Sequence, residues 1–229
     1  MNMLKALKST GKPVVLVLMT GSAIGLGWEN ENLNAILNAW YGGQAAGEAV
    51  SDILFGDYNP SGRLPVTFYR SVEDIPDFQN YSMQDRTYRY FRGTPVYPFG
   101  FGLSYTTFEY SDLRIVPLEN GGLSVSAIVS NVGSRDGDEV AQLYISNKRT
   151  FVTPIRSLKG FERISLKAGE SREVRFTLTP ADLTLVGSRG ESVPMRGTVE
   201  ISVGGCQPVA TSSFVSKTLN LCGQMGDHQ

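Results

Sequence analysis

The residues with the clearest chemical potential lie in the run "DRTYRYF" at positions 85 to 91. Aromatic rings can stack on the C–H faces of sugars, and arginine can hydrogen-bond pairs of hydroxyl groups. The run therefore offers four neighbouring candidates for sugar binding: Arg86, Tyr88, Arg89 and Tyr90. An extended backbone would place Arg86, Tyr88 and Tyr90 on the same side of the run.

A fifth candidate is Trp28, which follows the turn after the first predicted strand. Its ring could be a platform for a sugar, and it could equally belong to a core or an interface. The same choice applies to "DRTYRYF", because aromatic and arginine side chains are also enriched in buried interfaces. The residue types favour packing between domains, and sugar contact is the alternative.

The acidic side chains give no convincing catalytic pair. Glu48 and Asp52 are four positions apart in a predicted helix, close enough to suggest an acid and a base. Like charges on one exposed helix face are more commonly solvated, which is the interpretation that we favour. Glu29 and Glu31 lie near a predicted helix start, where negative charge suits the helix dipole. We predict no catalytic residue among them.

Several reaction classes are excluded by residue usage. The single histidine, His228, lies on the C-terminal tail, which excludes Ser-His-Asp and Cys-His catalysis and histidine-rich metal sites. The glycines of "GDYNPSGRLPVTF", residues 56–68, resemble a phosphate loop only superficially. Arg63 and Leu64 stand where a phosphate loop needs Lys and Ser or Thr. We expect neither a metal nor a cofactor.

The net charge of −1 and the pI of about 5.9 give no basic footprint for nucleic acid or a membrane surface. The apolar stretch "VVLVLM" is too short to span a bilayer. No targeting segment is evident at the start, so any export signal would lie outside this chain. For Cys206 and Cys222 we favour two unpaired thiols over a disulfide.

The first third of the chain alternates strand and helix signals. "PVVLVLM", residues 13–19, is typical of a strand buried on both faces. "NENLNAILNAWYGG", residues 30–43, and "QAAGEAVSDILFGD", residues 44–57, both predict helices ended by glycine. "RLPVTF", residues 63–68, predicts a short strand. The pattern indicates the end of an α/β domain whose lone buried strand finds its sheet partners elsewhere.

Between the last predicted helix and strand lies the turn "NPSG", residues 59–62. Asn59 can bond its own backbone, Pro60 presets its φ, and Gly62 permits a positive φ. Arg63 and Asp57 flank this turn and could form an ion pair across it. The turn is therefore predicted to have a structural role.

Residues 70–106 show no period and are dense in aromatics, unlike a flexible linker. From about residue 107, seven segments with partial period-two alternation are separated by turns: "FEYSDLRIV", "LSVSAIVSN", "EVAQLYISN", "IRSLKGFERISL", "REVRFTLT", "GTVEISVG" and "SSFVSKTL". Seven short strands at this spacing predict an immunoglobulin-like β-sandwich of the fibronectin type III kind. The fold class is therefore α/β followed by all-β.

Long motifs in this chain resemble glycoside hydrolase family 3. "AWYGGQAAGEAVSDILFGDYNPSGRLPVTF" resembles the end of that family's α/β-sandwich domain, and "YPFGFGLSYTTFEYSDL" the entry into its fibronectin type III-like domain. "NVGSRDGDEVAQLYIS" and "SLKGFERISLKAGESREVRFTL" resemble that second domain itself. "YSMQDRTYRYF" is most similar to the β-xylosidase branch, with β-glucosidases second. Gly42 departs from the xylosidase pattern, which usually has Pro there.

The resemblance implies a retaining hydrolase that removes terminal β-linked xylose or glucose from oligosaccharides with two carboxylates. It places the Asp nucleophile on an N-terminal barrel domain and the acid/base Glu on a loop ahead of "PVVLVLM". We therefore expect neither carboxylate in this chain and no activity from it alone. A non-catalytic carbohydrate-binding or domain-docking module is the alternative.

The resemblance also suggests a division of the chain. It implies the end of the α/β-sandwich domain over 1–69, an aromatic linker over 70–106, a fibronectin type III-like domain over 107–221 and a tail over 222–229. The implied partners are the oligosaccharide substrate and the barrel domain. Separately, residues 12–68 would expose an apolar face without their sheet partners, which predicts association with a second copy of the chain. The parent enzyme is expected to be periplasmic or secreted.

Overall fold

A computed structural model describes residues 2–147, 153–210 and 212–221. The first part of the chain contains five regular elements: α1 (Asn2–Ser9), β1 (Val15–Leu18), α2 (Gly27–Asn32), β2 (Ala35–Asn38) and α3 (Ala46–Phe55). The aromatic segment that follows contains a 3₁₀ turn (Val72–Asp74) and the single helical turn α4 (Thr87–Tyr90).

β1 and β2 form a parallel pair, with Leu16 opposite Ile36. The prediction of a helix across residues 30–43 is therefore wrong, and so is the prediction that β1 lacks a partner within the chain. Asn34 contributes to the pairing, because its side-chain oxygen accepts a hydrogen bond from Val14 N at 3.0 Å. Long-range pairing overrides the helical spacing of the apolar residues.

β1 is less buried than its apolar composition predicted. Leu18 is buried, whereas the side chain of Val15 is 47% exposed. The expectation of a strand covered on both faces is therefore wrong for these residues. Apolar surface remains open on this side of the α/β portion.

Helix α3 confirms the second helical prediction. It ends at Gly56, which adopts a left-handed conformation with φ of 84° and donates its N–H to Ile53 O at 3.2 Å. Glycine suits this position because it has no Cβ to clash in that region.

The strand predicted over residues 63–68 does not form. Phe68 makes an isolated antiparallel bridge with Tyr97, and Leu64 N donates to Phe101 O at 2.8 Å. Pro65 interrupts the run and has no N–H to donate, which limits ladder formation. The segment instead packs irregularly along residues 97–101.

The second part of the chain is a β-sandwich. Its strands are β3 (Phe108–Pro117), β4 (Leu123–Asn131), β5 (Gly137–Ser146), β6 (Ser157–Leu166), β7 (Ser171–Leu178), β8 (Thr184–Val186), β9 (Ser192–Pro194), β10 (Gly197–Gly204) and β11 (Phe214–Leu221). One antiparallel sheet has the order β11-β10-β5-β6 and the other the order β3-β4-β7. All seven predicted strands are confirmed. The small β8–β9 hairpin was not predicted.

Alternating side chains of the two sheets form the main core. β4 shows the pattern most clearly, because every second residue from Leu123 to Asn131 is buried. Val125, Leu143, Val174 and Ile201 are almost fully buried in the same cluster. This alternation is what a sheet needs in order to bury one face.

The α/β portion is joined to the sandwich around the "NPSG" turn. Asn59 Nδ2 donates to Asp136 O at 2.9 Å, and Asn59 Oδ1 accepts from Tyr105 N at 2.7 Å. Arg63 Nη2 donates to Glu139 Oε1 at 3.0 Å. The predicted pairing of Arg63 with Asp57 is therefore replaced by a contact with β5. Gly62 is not among the described residues with positive φ, so that expectation is also wrong.

Candidate functional site

Arg86 stabilises the loop that precedes it. Its guanidinium donates to the carbonyl oxygens of Ser82, Pro76, Asp77 and Asn80 over 2.8–3.3 Å. Four backbone acceptors engage this side chain, which holds the loop in a compact shape. These contacts favour a structural role, and sugar contact by Arg86 stays a prediction.

Tyr88 connects the aromatic segment to the sandwich. Its ring stacks on Phe99 with centroids 4.2 Å apart and lies edge-on to Tyr144 at 6.2 Å. Its hydroxyl accepts a hydrogen bond from Leu158 N, at the start of β6, over 3.1 Å. Tyr88 is thus fixed in position, and its remaining surface lines a cleft.

Arg89 and Tyr90 complete this short helical turn. Arg89 O accepts a hydrogen bond from Ile155 N at 2.6 Å, and Arg89 Nη2 donates to Ser157 Oγ at 3.4 Å. The Arg89 guanidinium carbon lies 5.9 Å from the centre of the Tyr90 ring, within cation–π range. The extended backbone predicted here is wrong, because a turn of helix replaces it.

Trp28 lies in α2, which is not part of this segment. It is half-buried, and Lys5 Nζ of α1 lies 5.7 Å from the centre of its ring. Its backbone oxygen accepts a hydrogen bond from Asn32 Nδ2 at 2.8 Å, so its described contacts lie within α1 and α2. The structure therefore gives no support for one site containing all five predicted residues, and their role in sugar binding stays a prediction.

A cleft of about 500 Å³ opens beside Tyr88. Its walls come from three separate segments: residues 88–98, the residues leading into β6, and the loop after β10. Thr67 lies against it from the α/β portion. Its polar lining includes Thr67, Arg156 and Gln207, none of which was singled out in the sequence. No local pattern links three residues so far apart in the chain.

A buried ion pair lies where β5 meets the α/β portion. The side chains of Arg63 and Glu139 are only 9% and 5% exposed. Nearby, burial and the negative charge of Glu139 hold the pKa of the Tyr110 hydroxyl well above its usual value. Burial also raises the pKa of the Cys206 thiol, which forms no disulfide with any of the described residues. Cys222 lies outside the described residues, so the predicted absence of a disulfide stays a prediction.

The acidic candidates are dispersed. Glu48 is exposed and Asp52 half-buried on α3, and Glu31 is exposed in α2. Glu29 is buried, and its Oε2 has no hydrogen-bond partner among the described residues. Over residues 2–147, 153–210 and 212–221, no group of three His, Cys, Asp or Glu side chains could hold a metal ion. No described helix is long and apolar enough to cross a membrane.

Two family profiles match the chain in order. The glycosyl hydrolase family 3 C-terminal domain matches residues 1–105, and a fibronectin type III-like domain matches residues 139–207. The second match lies within the β-sandwich described above.

Curated relatives give the same result. The chain is 49% identical over 181 residues to a xylan 1,4-beta-xylosidase of Xylanibacter ruminicola, covering 79% of this chain and 21% of that protein. It is 42% identical over 193 residues to a periplasmic beta-glucosidase of Salmonella typhimurium, covering 77% and 25%. The chain thus spans about a fifth to a quarter of the length of these relatives.

Solved structures share the fold. Beta-glucosidase 3B from Thermotoga neapolitana in complex with glycerol superposes with a TM-score of 0.86 at 33% identity, covering 97% of this chain and 34% of that one. Beta-D-glucoside glucohydrolase from Trichoderma reesei gives a TM-score of 0.83 at 27% identity, covering 96% and 35%. The chain belongs to glycosyl hydrolase family 3, whose C-terminal domain and fibronectin type III-like domain it carries.

Proposed function

We propose that this chain is the C-terminal part of a retaining glycosidase that removes terminal β-linked xylose, or glucose, from oligosaccharides. The observation that carries the proposal is the 49% identity to a xylan 1,4-beta-xylosidase. Relatives named beta-glucosidase share somewhat less identity, 42% in the Salmonella protein. Xylose is therefore the first choice and glucose the second.

In this proposal the Asp nucleophile and the acid/base Glu are supplied by residues outside these 229. A retaining mechanism needs two carboxyl groups about 5 Å apart on either side of the scissile bond. Among the described residues, Glu139 is paired with buried Arg63, and Glu48 is exposed on a helix. These environments suit structural and solvated carboxylates better than a facing catalytic pair.

The contribution of this chain would be to complete and support the larger enzyme. Within it, we propose the division into 1–69, 70–106, 107–221 and a tail over 222–229. The hydrogen bonds of Asn59 and the Arg63–Glu139 pair would hold the α/β portion at a fixed angle to the sandwich. Such rigid support is what a site assembled from several domains requires.

Exposed apolar side chains favour a docking role for the first 105 residues. Phe55 is 82% exposed, Tyr41 79% and Phe78 92%. Large apolar side chains with this exposure commonly mark an interaction surface when they cluster. We propose that this portion packs against the rest of the glycosidase and that, without it, copies of the chain associate with each other.

The test is an assay of the purified 229-residue chain with p-nitrophenyl β-D-xylopyranoside and the corresponding glucoside. We expect no turnover above buffer, because the catalytic carboxylates would lie elsewhere. A full-length family relative is the positive control. Turnover comparable to that relative, surviving repurification, would contradict the assignment of the catalytic pair.

A further inference from the structure

We propose that Asn80 is an acceptor site for an N-linked oligosaccharide. It begins the triplet "NYS", residues 80–82, which matches the pattern Asn-x-Ser/Thr of glycosylated asparagines. The only other triplet of this form in the 229 residues is "NPS", residues 59–61, and its central proline excludes glycosylation. The inference goes beyond the proposed glycosidase function and does not depend on it.

The triplet lies in a loop that faces solvent, between the 3₁₀ turn and α4. Asn80 and Ser82 are both exposed, and Tyr81 between them is 91% exposed. An oligosaccharide is bulky and hydrophilic, so the asparagine that carries it must lie on the surface. Asn59 is the contrast, because both ends of its side-chain amide are bonded to residues of the sandwich side.

The local hydrogen bonds engage the oxygens of Asn80 and leave its amide nitrogen available. Asn80 Oδ1 accepts a hydrogen bond from Ser82 N at 2.9 Å, which forms an Asx turn across the triplet. Asn80 O accepts from Arg86 Nη2 at 2.8 Å, which holds the backbone at this position. Within the part of the chain that the structure describes, Asn80 Nδ2 has no hydrogen-bond partner.

The reaction joins this nitrogen to the first sugar of a lipid-linked oligosaccharyl diphosphate. Asn80 Nδ2 attacks C1 of that sugar and forms the N–C1 bond. The bond from C1 to the diphosphate oxygen breaks, the lipid diphosphate leaves with the electron pair, and Nδ2 loses one proton. An oligosaccharyltransferase catalyses this step on the far side of a membrane, which agrees with the expected periplasmic or secreted location.

Phe78 offers an apolar surface for the first sugar. It precedes the acceptor by two residues, and its side chain is 92% exposed. The chain turns at this point, because Asn80 N donates to Asp77 O at 2.9 Å. The C–H face of a pyranose can stack on such a ring, which covers apolar surface that this loop exposes. Phe55 and Tyr41, the other side chains proposed above for docking, lie outside the loop.

The experiment is expression of the 229-residue chain behind a secretion signal in yeast, followed by denaturing gels of medium and total cell extract. Together these two samples report glycosylation whether or not the chain is exported. We expect a band retarded by one oligosaccharide that returns to the unglycosylated position after treatment with a peptide N-glycosidase. Absence of this band from both samples would overturn the proposal.

Mass spectrometry assigns the modified residue. The tryptic peptide Ser71–Arg86 contains Asn80 as its only asparagine. The peptide N-glycosidase converts a glycosylated asparagine into aspartate, so treatment in heavy-oxygen water should label position 80 of this peptide. Label in another peptide instead, or a retarded band that the enzyme does not change, would contradict the site.

Two substitutions of one residue test the triplet. Ser82→Ala removes the hydroxyl group that the pattern requires and should abolish the retarded band, whereas Ser82→Thr keeps a hydroxyl group and should retain it. Ser188→Ala is the matched control, since Ser188 is exposed in the turn between β8 and β9 and belongs to no such triplet. It should be glycosylated as the unchanged chain is. A band that persists in Ser82→Ala would refute the assignment.

Phe78→Ala tests the contact with the first sugar. An endoglycosidase trims the oligosaccharide to that sugar, and thermal melts compare the trimmed chain with Asn80→Gln. We expect the trimmed chain to have the higher melting temperature, and this difference should be lost when both proteins also carry Phe78→Ala. An equal difference with and without Phe78 would show that its ring does not hold the sugar. None of these readouts measures glycoside hydrolysis, so they are independent of the assay proposed above.

Discussion

The ion pair between Arg63 and Glu139 joins the two portions through side chains that are both nearly inaccessible to water. Removing one partner leaves the other charge buried and unpaired. We therefore expect Arg63→Met to lower the free energy of unfolding by about 3–5 kcal/mol. Urea denaturation monitored by circular dichroism measures this change.

Two controls separate burial from charge removal. Arg175→Met breaks the exposed pair with Glu173 and should cost less than about 1 kcal/mol. The double variant Arg63→Met/Glu139→Leu removes both buried charges and should recover most of the stability. A loss below about 1 kcal/mol for Arg63→Met would show that this contact does not hold the portions together.

Asp138 should make the free energy of unfolding depend on pH in the acidic range. Hydrogen bonds from Ser165 and Arg163 lower the pKa of its carboxyl below the ordinary value. A lowered folded pKa contributes stability above the unfolded pKa of about 4, and that contribution is lost as pH falls through the folded value. The contribution is below about 1 kcal/mol, because both partners are partly solvated.

Comparison with Asp138→Asn measures this effect. At pH 7 the unchanged chain should be slightly more stable than the variant, and the difference should shrink when the pH is lowered below about 4. Thermal melts at several pH values follow the difference. A difference that stays constant or widens as the pH falls would contradict the assignment.

At the scale of elements, helix α3 ends at Gly56 because this glycine can adopt the left-handed conformation of the C-cap. Its φ of 84° is strained for any residue with a Cβ, so Gly56→Ala should destabilise the chain by about 1 kcal/mol. Gly47 is the matched control, since it lies inside the same helix and an added Cβ would meet no atom within 4 Å. Gly47→Ala should stabilise by about 0.5–1 kcal/mol. Opposite shifts in melting temperature are expected, and equal shifts would refute this explanation.

The sequence predicts the sandwich far better than the α/β portion. In β4 every second residue is buried, so local alternation and tertiary burial agree and the strand is evident. In β2 the residues have helical spacing, but Ile36 pairs with Leu16 in a parallel ladder, and such pairing leaves no signal in a short segment. Local pattern fails where a distant strand decides the structure.

The candidate site was even harder to predict from local sequence patterns than the α/β portion. Composition singled out Tyr88, which does line the cleft, together with Arg86, whose donors bind backbone carbonyls instead. Thr67, Arg156 and Gln207 come from segments far apart in the chain, and each is unremarkable in its own context. Only the fold reveals that they share one cleft and lack partners.

At the scale of the whole molecule, we propose that the chain is a supporting part of a larger glycosidase. The region aligned with the Xylanibacter relative covers 79% of this chain but only 21% of that protein. Its two portions are joined by the buried Arg63–Glu139 pair and by the hydrogen bonds of Asn59, while the first 105 residues expose large apolar side chains. Both features suit a unit that is rigid internally and packs against further domains.

The most direct test is a hybrid enzyme. The matching C-terminal segment of the Xylanibacter ruminicola xylan 1,4-beta-xylosidase is replaced by this chain, and hydrolysis of p-nitrophenyl β-D-xylopyranoside is measured. Truncation of the relative before that segment provides the control. We expect the hybrid to be active within about tenfold of the relative and the truncated protein to be inactive, since the segment completes the fold. A folded, monodisperse hybrid that is as inactive as the truncated control would contradict the proposed function.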